Sequence, residues 1–151
     1  MGAHFQIRPA TPADLPHVAA IEQAVFSDPW PLDAFLPLLS ENALVLEGHE
    51  GVRGYLFARV MGPEAEILNL AILPERQGRG WGRRLLQASL DRLSQQGVSD
   101  VFLEVRRSNA KARAFYARMG FEEAGLRRAY YTRPVEDAVV LRLKLVAEGR
   151  K

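Results

Sequence analysis

Residues 65–97 read AEILNLAILPERQGRGWGRRLLQASLDRLSQQG, and this stretch decides the fold. An apolar segment typical of a β-strand is followed by a turn rich in glycine and arginine, and then by an amphipathic helix. The glycines at 78, 80 and 82 leave backbone N–H groups unshielded where the helix begins. Because a helix N-terminus carries partial positive charge, the unit predicts a site for a phosphate-bearing ligand.

Two common phosphate-binding motifs fit this turn poorly. A mononucleotide P-loop requires G-x-x-x-x-G-K-S/T, and the chain contains no such run. Residues 78–83, GRGWGR, fall one position short of the dinucleotide pattern G-x-G-x-x-G, although Glu104 stands where a ribose contact would fall. The residues PERQ at 74–77 separate the strand from the first glycine, and antiparallel strands precede the unit. Both features argue against a dinucleotide-binding fold.

The composition indicates one globular domain over residues 1–151. Hydrophobic residues make up 48% of the chain and charged residues 25%. The absence of cysteine excludes disulfides, thiolate zinc sites and a cysteine nucleophile, and it favours a reducing compartment. The apolar runs are shorter than the roughly 20 residues of a membrane span, and the N-terminus lacks the apolar core of a signal peptide. We expect a cytoplasmic protein that binds no membrane.

The charge pattern is weakly informative outside the glycine turn. Net charge is +2, with 17 arginines against 3 lysines. Arginine favours contact with phosphates or acidic partners, but a composition bias is the better explanation for most of these residues. Only the arginines at 76, 79, 83 and 84 stand where a phosphate is expected. His4, His17 and His49 are scattered without metal-ligand spacing, so we expect no metal.

The order of predicted elements indicates an α/β domain. A strand at 5–8 precedes a helix that begins after Thr11 and a second short helix over 32–39. Strands at 43–47, 53–60 and 65–73 form an antiparallel meander. After the turn and its helix come an apolar strand at 100–105, typical of burial on both faces, a helix at 110–119 and short strands at 121–124 and 138–145. We predict a mixed central sheet of six to seven strands flanked by about four helices.

Two motifs carry a resemblance to a known family. LAILP at 70–74, QGRGWG at 77–82 and LL at 85–86 together resemble the acetyl-CoA motif of the GNAT family of N-acetyltransferases. NAKARAFYARMGF at 109–121 resembles the second motif of that family. The resemblance implies a single-domain GNAT fold with acetyl-CoA as co-substrate.

Further segments resemble the RimI-type branch of that family, which acetylates the N-terminal alanine of a small-subunit ribosomal protein. They are Glu22 to Trp30, LEVR at 103–106, SNA at 108–110, RRAYY at 127–131 and EDA at 136–138. The likeness covers about residues 5–145. The chain departs from it at Ala129, where relatives have asparagine, and in the short segment 132–135. The resemblance implies a protein N-terminus as acceptor. We expect no direct nucleic-acid contact and a monomer or weak dimer.

Acetyl transfer needs a proton acceptor and a proton donor. An N-terminal α-amine has a pKa of roughly 7.7–8.0, so much of it must lose a proton at neutral pH. Glu104 interrupts an apolar strand near its end and is our candidate base; the alternative is a structural carboxylate paired with Arg106 or Arg128. Tyr116 is the candidate acid for the leaving thiolate. A packing role is the alternative, but it suits Phe115 better.

The remaining candidates bind the two substrates. For acetyl-CoA they are the strand backbone at Leu70, Ala71 and Ile72, the turn residues Gln77, Gly78, Arg79, Gly80, Trp81, Gly82 and Arg83, and Asn109. Asn109 could instead serve only as a helix cap. For the peptide they are Phe26, Trp30, Tyr130 and Tyr131, of which Phe26 and Trp30 could equally be core.

The sequence therefore predicts direct transfer of an acetyl group from acetyl-CoA to a protein N-terminal α-amine. Within the same family, the acceptor could instead be a lysine side chain, a polyamine or a small metabolite. Outside enzymes, the chain could be an acyl-CoA-binding module whose basic surface contacts nucleic acid. Because Glu104 and Tyr116 are both present, the sequence favours an enzyme.

Overall fold

The computed structural model describes residues 5–145, which form seven β-strands and four α-helices. The strands are β1 (Gln6–Pro9), β2 (Ala43–Gly48), β3 (Gly51–Met61), β4 (Glu64–Ile72), β5 (Asp100–Arg106), β6 (Glu122–Thr132) and β7 (Val135–Lys144). The helices are α1 (Leu15–Val25), α2 (Leu32–Phe35), α3 (Trp81–Gln95) and α4 (Ala110–Arg118). The predicted α/β architecture is confirmed. His4 lies outside the described residues.

The strands form one mixed sheet in the order β1-β2-β3-β4-β5-β7-β6. Within residues 5–145, β4 and β5 are the one parallel pair, and α3 forms the crossover between them. The predicted meander of β2, β3 and β4 is confirmed. Helix α3 buries Leu85, Leu86, Leu90 and Leu93 on one face of the sheet, while α1 and α2 cover the other face.

Strand β5 is buried on one face, so the expectation of burial on both faces is wrong. Its odd-numbered residues Val101, Leu103 and Val105 are buried, whereas the even-numbered ones are only partly covered. The charged residues of the half-covered face each have an ionic partner on β6 or β7. The pairs are Asp100 with Arg142, Glu104 with Arg127, and Arg106 with Glu136. This face is therefore polar and open to one side.

Strands β6 and β7 are longer than the predicted short strands at 121–124 and 138–145. Strand β6 lies at the sheet edge and is exposed over almost its whole length, so no apolar alternation marks it. Its register with β7 shifts between Glu123 and Gly125 and again between Arg127 and Tyr131. The hairpin closes between Thr132 and Val135, and its Arg133–Pro134 peptide bond is cis.

Ala129 occupies the left-handed region within the second shift, with φ of 49°. Its N–H donates to Asp137 Oδ1 at 2.8 Å. Non-glycine residues pay about 1–2 kcal/mol in this region, but asparagine tolerates it. We expect Ala129→Asn to raise the free energy of unfolding by about 1 kcal/mol in chemical denaturation. Ala114→Asn, the same change at an exposed helical position, should lower it by several tenths of a kcal/mol. A loss of stability in both variants would contradict this interpretation.

A buried carboxylate links β1 to α1. Asp14 accepts two hydrogen bonds from Arg8, each 2.9 Å long, and one from Thr11 N–H at 2.8 Å. These contacts, chiefly those with Arg8, lower the pKa of Asp14 from 3.8 to about 2.

The Asp14 contacts predict an acid-sensitive contribution to stability. Because the folded pKa lies below the unfolded one, the stabilisation is complete above pH 4 and is lost as the pH falls toward 2. We expect Asp14→Asn to remove about 2 kcal/mol of unfolding free energy at pH 6 and to cost far less near pH 2. Chemical denaturation of wild type and variant across this pH range measures the difference, and Asp91→Asn, at an exposed position of α3, is the control. An equal loss at every pH would contradict the assignment.

Candidate active site

The open edge of β4 is the first feature of the site. Strand β4 pairs with β5 over 64–66 and 100–102, and in the described part of the chain the two strands do not pair further along. On its other edge, the segment Leu70–Ile72 pairs with β3. Because a strand carries hydrogen-bonding groups along both edges, residues 70–72 can receive an extended ligand as an additional strand.

The glycine turn connects this edge to α3. Gly78 and Gly80 adopt φ of 79° and 80°, a region that favours glycine, and Gly80 is the N-cap of α3. Gln77 anchors the turn from both sides. Its Nε2 donates to Ile72 O at 2.9 Å, and its Oε1 accepts from Lys111 Nζ at 3.2 Å. The turn is thus fastened to the end of β4 and to α4.

Helix α4 carries Tyr116 into the site. The predicted cap is present, since Asn109 Oδ1 accepts from Ala112 N–H at 3.0 Å. Tyr116 lies seven residues further on, is only 8% exposed, and has Phe115 and Phe121 at 5.1 and 5.5 Å between ring centroids. Burial, with a smaller effect of Tyr131, raises the pKa of Tyr116 well above its usual range. The phenol therefore keeps its proton throughout the neutral range.

A cavity of about 940 Å³ joins these three features, a size typical of ligand pockets. The predicted residues that line it are Phe26, Leu70, Ala71, Ile72, Gln77, Gly78, Gly80, Gly82, Arg83, Asn109 and Tyr116. Arg79 and Trp81 are not among the residues lining it. The Trp81 ring packs against Phe5 in a tilted arrangement, with 4.3 Å between ring centroids, and the Arg84 guanidinium lies 4.8 Å from the Trp81 centroid.

The cavity is positively charged. Of the described residues that line it, Arg83, Lys111 and Arg118 are cationic and none is acidic. The adjoining N-terminus of α3 adds partial positive charge. Such a lining favours an anionic ligand with an apolar portion.

Glu104 lies outside this cavity lining, on the half-covered face of β5. Its side chain is 12% exposed and accepts a hydrogen bond from Arg127 Nη1. The expected alternative partners, Arg106 and Arg128, are therefore wrong, because the arginine paired with Glu104 is Arg127 of β6. A hydrogen bond with Glu104 also contributes, after burial, to a raised pKa of Tyr130.

Tyr131 interacts electrostatically with both Glu104 and Tyr116. Burial first, and then the charge of Glu104, raise the pKa of Tyr131 to about 12. Tyr131 in turn contributes to the raised pKa of Tyr116. Tyr131 of β6 thus lies within electrostatic reach both of Glu104 on β5 and of Tyr116 on α4.

The two earlier aromatic candidates have different surroundings. Phe26 lines the cavity, whereas Trp30 packs on Phe35 at 5.4 Å between ring centroids. Buried Glu22 fixes this region: it accepts from Trp30 N–H at 3.0 Å and Asn69 Nδ2 at 2.6 Å, and also from the Tyr55 hydroxyl. Burial raises the pKa of Glu22. Trp30 therefore packs at the edge of the core as a partly buried residue, and its contact with a peptide stays a prediction.

Sequence reasoning missed several residues of the site. Lys111, Phe115 and Arg118 of α4 line the cavity beside the predicted Tyr116. Helical spacing from Tyr116 could have found Ala112 and Met119, which also line the cavity, but not these three residues. Arg127 could not be found in this way, because its contact with Glu104 depends on the pairing of β6 with β7.

Two negative findings concern residues 5–145. No group of three or more histidine, cysteine, aspartate or glutamate residues there could hold a metal ion. None of the helices in that range has the length and apolar character needed to cross a bilayer.

Comparison with known proteins gives consistent matches. The model of the acetyltransferase (GNAT) family matches residues 15–121. The ribosomal protein bS18-alanine N-acetyltransferase of Salmonella typhimurium is 38% identical over 136 residues, which is 87% of this chain and 92% of that protein. The crystal structure of the corresponding Escherichia coli enzyme superposes with a TM-score of 0.86 at 34% identity, covering 98% of this chain and 99% of the other. Ard1 from Thermoplasma volcanium gives a TM-score of 0.89 at 26% identity over 94% and 98% of the two chains.

The family match covers the strand, glycine turn and helices that build the site. The full-length likeness to the Escherichia coli structure extends over the whole sheet. The chain therefore belongs to the GNAT family of acetyltransferases and is an acetyl-CoA-dependent N-acetyltransferase.

Proposed function

We propose that this enzyme transfers the acetyl group of acetyl-CoA directly to the N-terminal α-amine of a protein. The acceptor we propose is the N-terminal alanine of a small-subunit ribosomal protein, which places the reaction in the cytoplasm. The observation that carries the proposal is the cationic cavity lined by the open edge of β4, the glycine turn and Tyr116. Tyr131 interacts electrostatically both with Tyr116 and with Glu104.

The cationic cavity, whose described lining contains no acidic residue, supports binding of acetyl-CoA there. Its pantetheine amides would pair with the free edge of residues 70–72, as a neighbouring strand does. Its pyrophosphate would lie on the turn at 78–83, against the N-terminus of α3. Arg83, Lys111 and Arg118 supply charge for the phosphates, and Gln77 keeps the turn in place.

The chemistry requires one C–N bond to form and one C–S bond to break. The neutral amine attacks the thioester carbonyl carbon, and Glu104 accepts the proton that the amine loses, directly or through a water. As the tetrahedral adduct collapses, Tyr116 donates its phenolic proton to the departing sulfur. Because the raised pKa keeps that phenol protonated, the donor is in the required form before each turnover.

Two observations support a peptide acceptor. Strand β6 and its hairpin bring Tyr130 and Tyr131 close to Glu104. Strands β6 and β7 also expose the apolar side chains of Leu126 and Val135. The relatives from Salmonella and Escherichia are named as alanine N-acetyltransferases of a ribosomal protein, bS18 or S18.

Initial rates with a panel of amines test the proposal. The panel holds a peptide that begins with alanine, the same peptide blocked at its N-terminus but carrying lysine, and a polyamine. We expect kcat/KM for the free alanine peptide to exceed the others by about 10²-fold or more. A preference for lysine or polyamine would establish the other-amine alternative, and CoA binding without any transfer would indicate a binding module.

A further inference from the structure

Arg106 reaches from the end of β5 across the hairpin between β6 and β7. Its guanidinium donates to the carbonyl oxygens of Arg133 and Pro134, both at 2.9 Å. It also pairs with Glu136 at 3.3 Å, and both side chains are about one-fifth exposed. One forked side chain therefore holds both residues of the turn and the first part of β7.

Glu136 extends these contacts to the loop after β5. Its Oε2 accepts from Ser108 N–H at 2.5 Å. Hydrogen bonds from Ser108, with a smaller contribution from Arg106, lower the pKa of Glu136, so the carboxylate is charged at neutral pH. The loop that leads into α4 and the hairpin are thus fastened by the same ion pair.

The contact with Tyr131 connects this ion pair to the reacting groups. The Arg106 guanidinium lies 4.3 Å from the centroid of the Tyr131 ring. Tyr131 is the residue within reach of both Glu104 and Tyr116. Movement of the hairpin would therefore displace the aromatic wall on which a peptide N-terminus would lie.

We propose that Arg106 and Glu136 form a clamp that fixes the acceptor hairpin, residues 130–136, and thereby sets the affinity for the acceptor. Both are positioning residues, since they act through Tyr131 and the hairpin backbone. The acceptor part of this inference rests on the proposed function. The clamp itself rests on the contacts of Arg106 and Glu136 alone.

The same two strands supply a matched control. Arg142 of β7 pairs with Asp100 of β5 at 2.8 Å, at the opposite end of the β5–β7 ladder. That pair resembles the clamp in chemistry and in strands joined, but it lies far along the ladder from the hairpin. Arg142→Met therefore reports the cost of losing an ion pair between these strands without loosening the acceptor hairpin.

Two measurements on Arg106→Met, Glu136→Gln and Arg142→Met test the inference. The first is amide hydrogen exchange, which needs no substrate. We expect faster exchange over residues 130–136 in the two clamp variants and unchanged exchange there in Arg142→Met. The second is steady-state kinetics: we expect the clamp variants to raise KM for the alanine peptide about tenfold, with KM for acetyl-CoA within about twofold of wild type.

The outcomes separate the two proposals. Unchanged exchange in the clamp variants would overturn the clamp whatever the activity. Faster exchange with an unchanged peptide KM, or with equal changes in both KM values, would overturn its effect on the acceptor. Faster exchange in an enzyme whose wild type acetylates no peptide would overturn the proposed function and leave the clamp supported. Partial recovery of peptide KM in Arg106→Lys, which keeps one charged donor, would support the clamp further.

Discussion

Replacing Tyr116 with phenylalanine is expected to lower kcat by about 10²-fold or more while KM for acetyl-CoA changes less than about twofold. The substitution removes only the phenolic O–H. The ring keeps its packing on Phe115 and Phe121, so the cavity wall and the fold are preserved. Without the phenol, the departing thiolate has no proton donor at that position, and the loss falls on the chemical step. Steady-state kinetics and acetyl-CoA binding measure the two effects.

Two further measurements test this interpretation of Tyr116. Thermal unfolding of Tyr116→Phe should stay close to wild type, which separates loss of the proton donor from loss of structure. In the wild type, kcat should not decline through ionisation of Tyr116 below about pH 10, because burial raises the pKa of this phenol. If Tyr116→Phe kept the wild-type kcat, Tyr116 would not be the general acid.

Replacing Glu104 with glutamine is expected to lower kcat/KM for the peptide by about 10²-fold at pH 7. The amide keeps the shape of the side chain but cannot accept the proton that the amine must lose. Because an α-amine has a pKa of roughly 7.7–8.0, free amine becomes abundant above pH 8. The deficit should therefore be greatest at low pH and shrink as the pH rises. A pH profile of kcat/KM for both enzymes measures it.

Asp100→Asn is the matched control for Glu104→Gln. Asp100 lies on the same face of β5, is similarly covered and pairs with an arginine of β7. Its loss should leave the shape of the pH–rate profile unchanged. If Glu104→Gln retained the full rate at pH 7, Glu104 would be a structural carboxylate held by Arg127.

The parts of the fold that could be predicted are those with their own periodicity. The meander, the glycine turn and the helix with Leu85, Leu86 and Leu90 each show a local pattern of apolar residues and glycine. The ends of strand β6 could not be predicted, because an edge strand exposed on both faces shows no alternation of apolar and polar residues. Ala129 also interrupts this strand, because it adopts the left-handed conformation, and its N–H donates to Asp137, which is distant in the sequence.

The site divides in the same way. The residues at 70–82 and those at 109–116 each form a local motif, and most of the predicted residues in both line one cavity. The pairing of Glu104 with Arg127 depends on long-range strand register, which no local motif encodes. The Arg106–Glu136 ion pair has the same dependence. Prediction was therefore stronger for the cavity than for the surface around Glu104 and the β6–β7 hairpin.

Tandem mass spectrometry of a single product tests the central claim most directly. One short peptide with an N-terminal alanine and an internal lysine offers both amines to the enzyme at equal concentration. After incubation with acetyl-CoA, fragment masses locate the added acetyl group. We expect it on the α-nitrogen of alanine, with the lysine unmodified and with far less product in Glu104→Gln at pH 7. An acetyl group on the lysine, or an unmodified peptide, would contradict the proposed reaction.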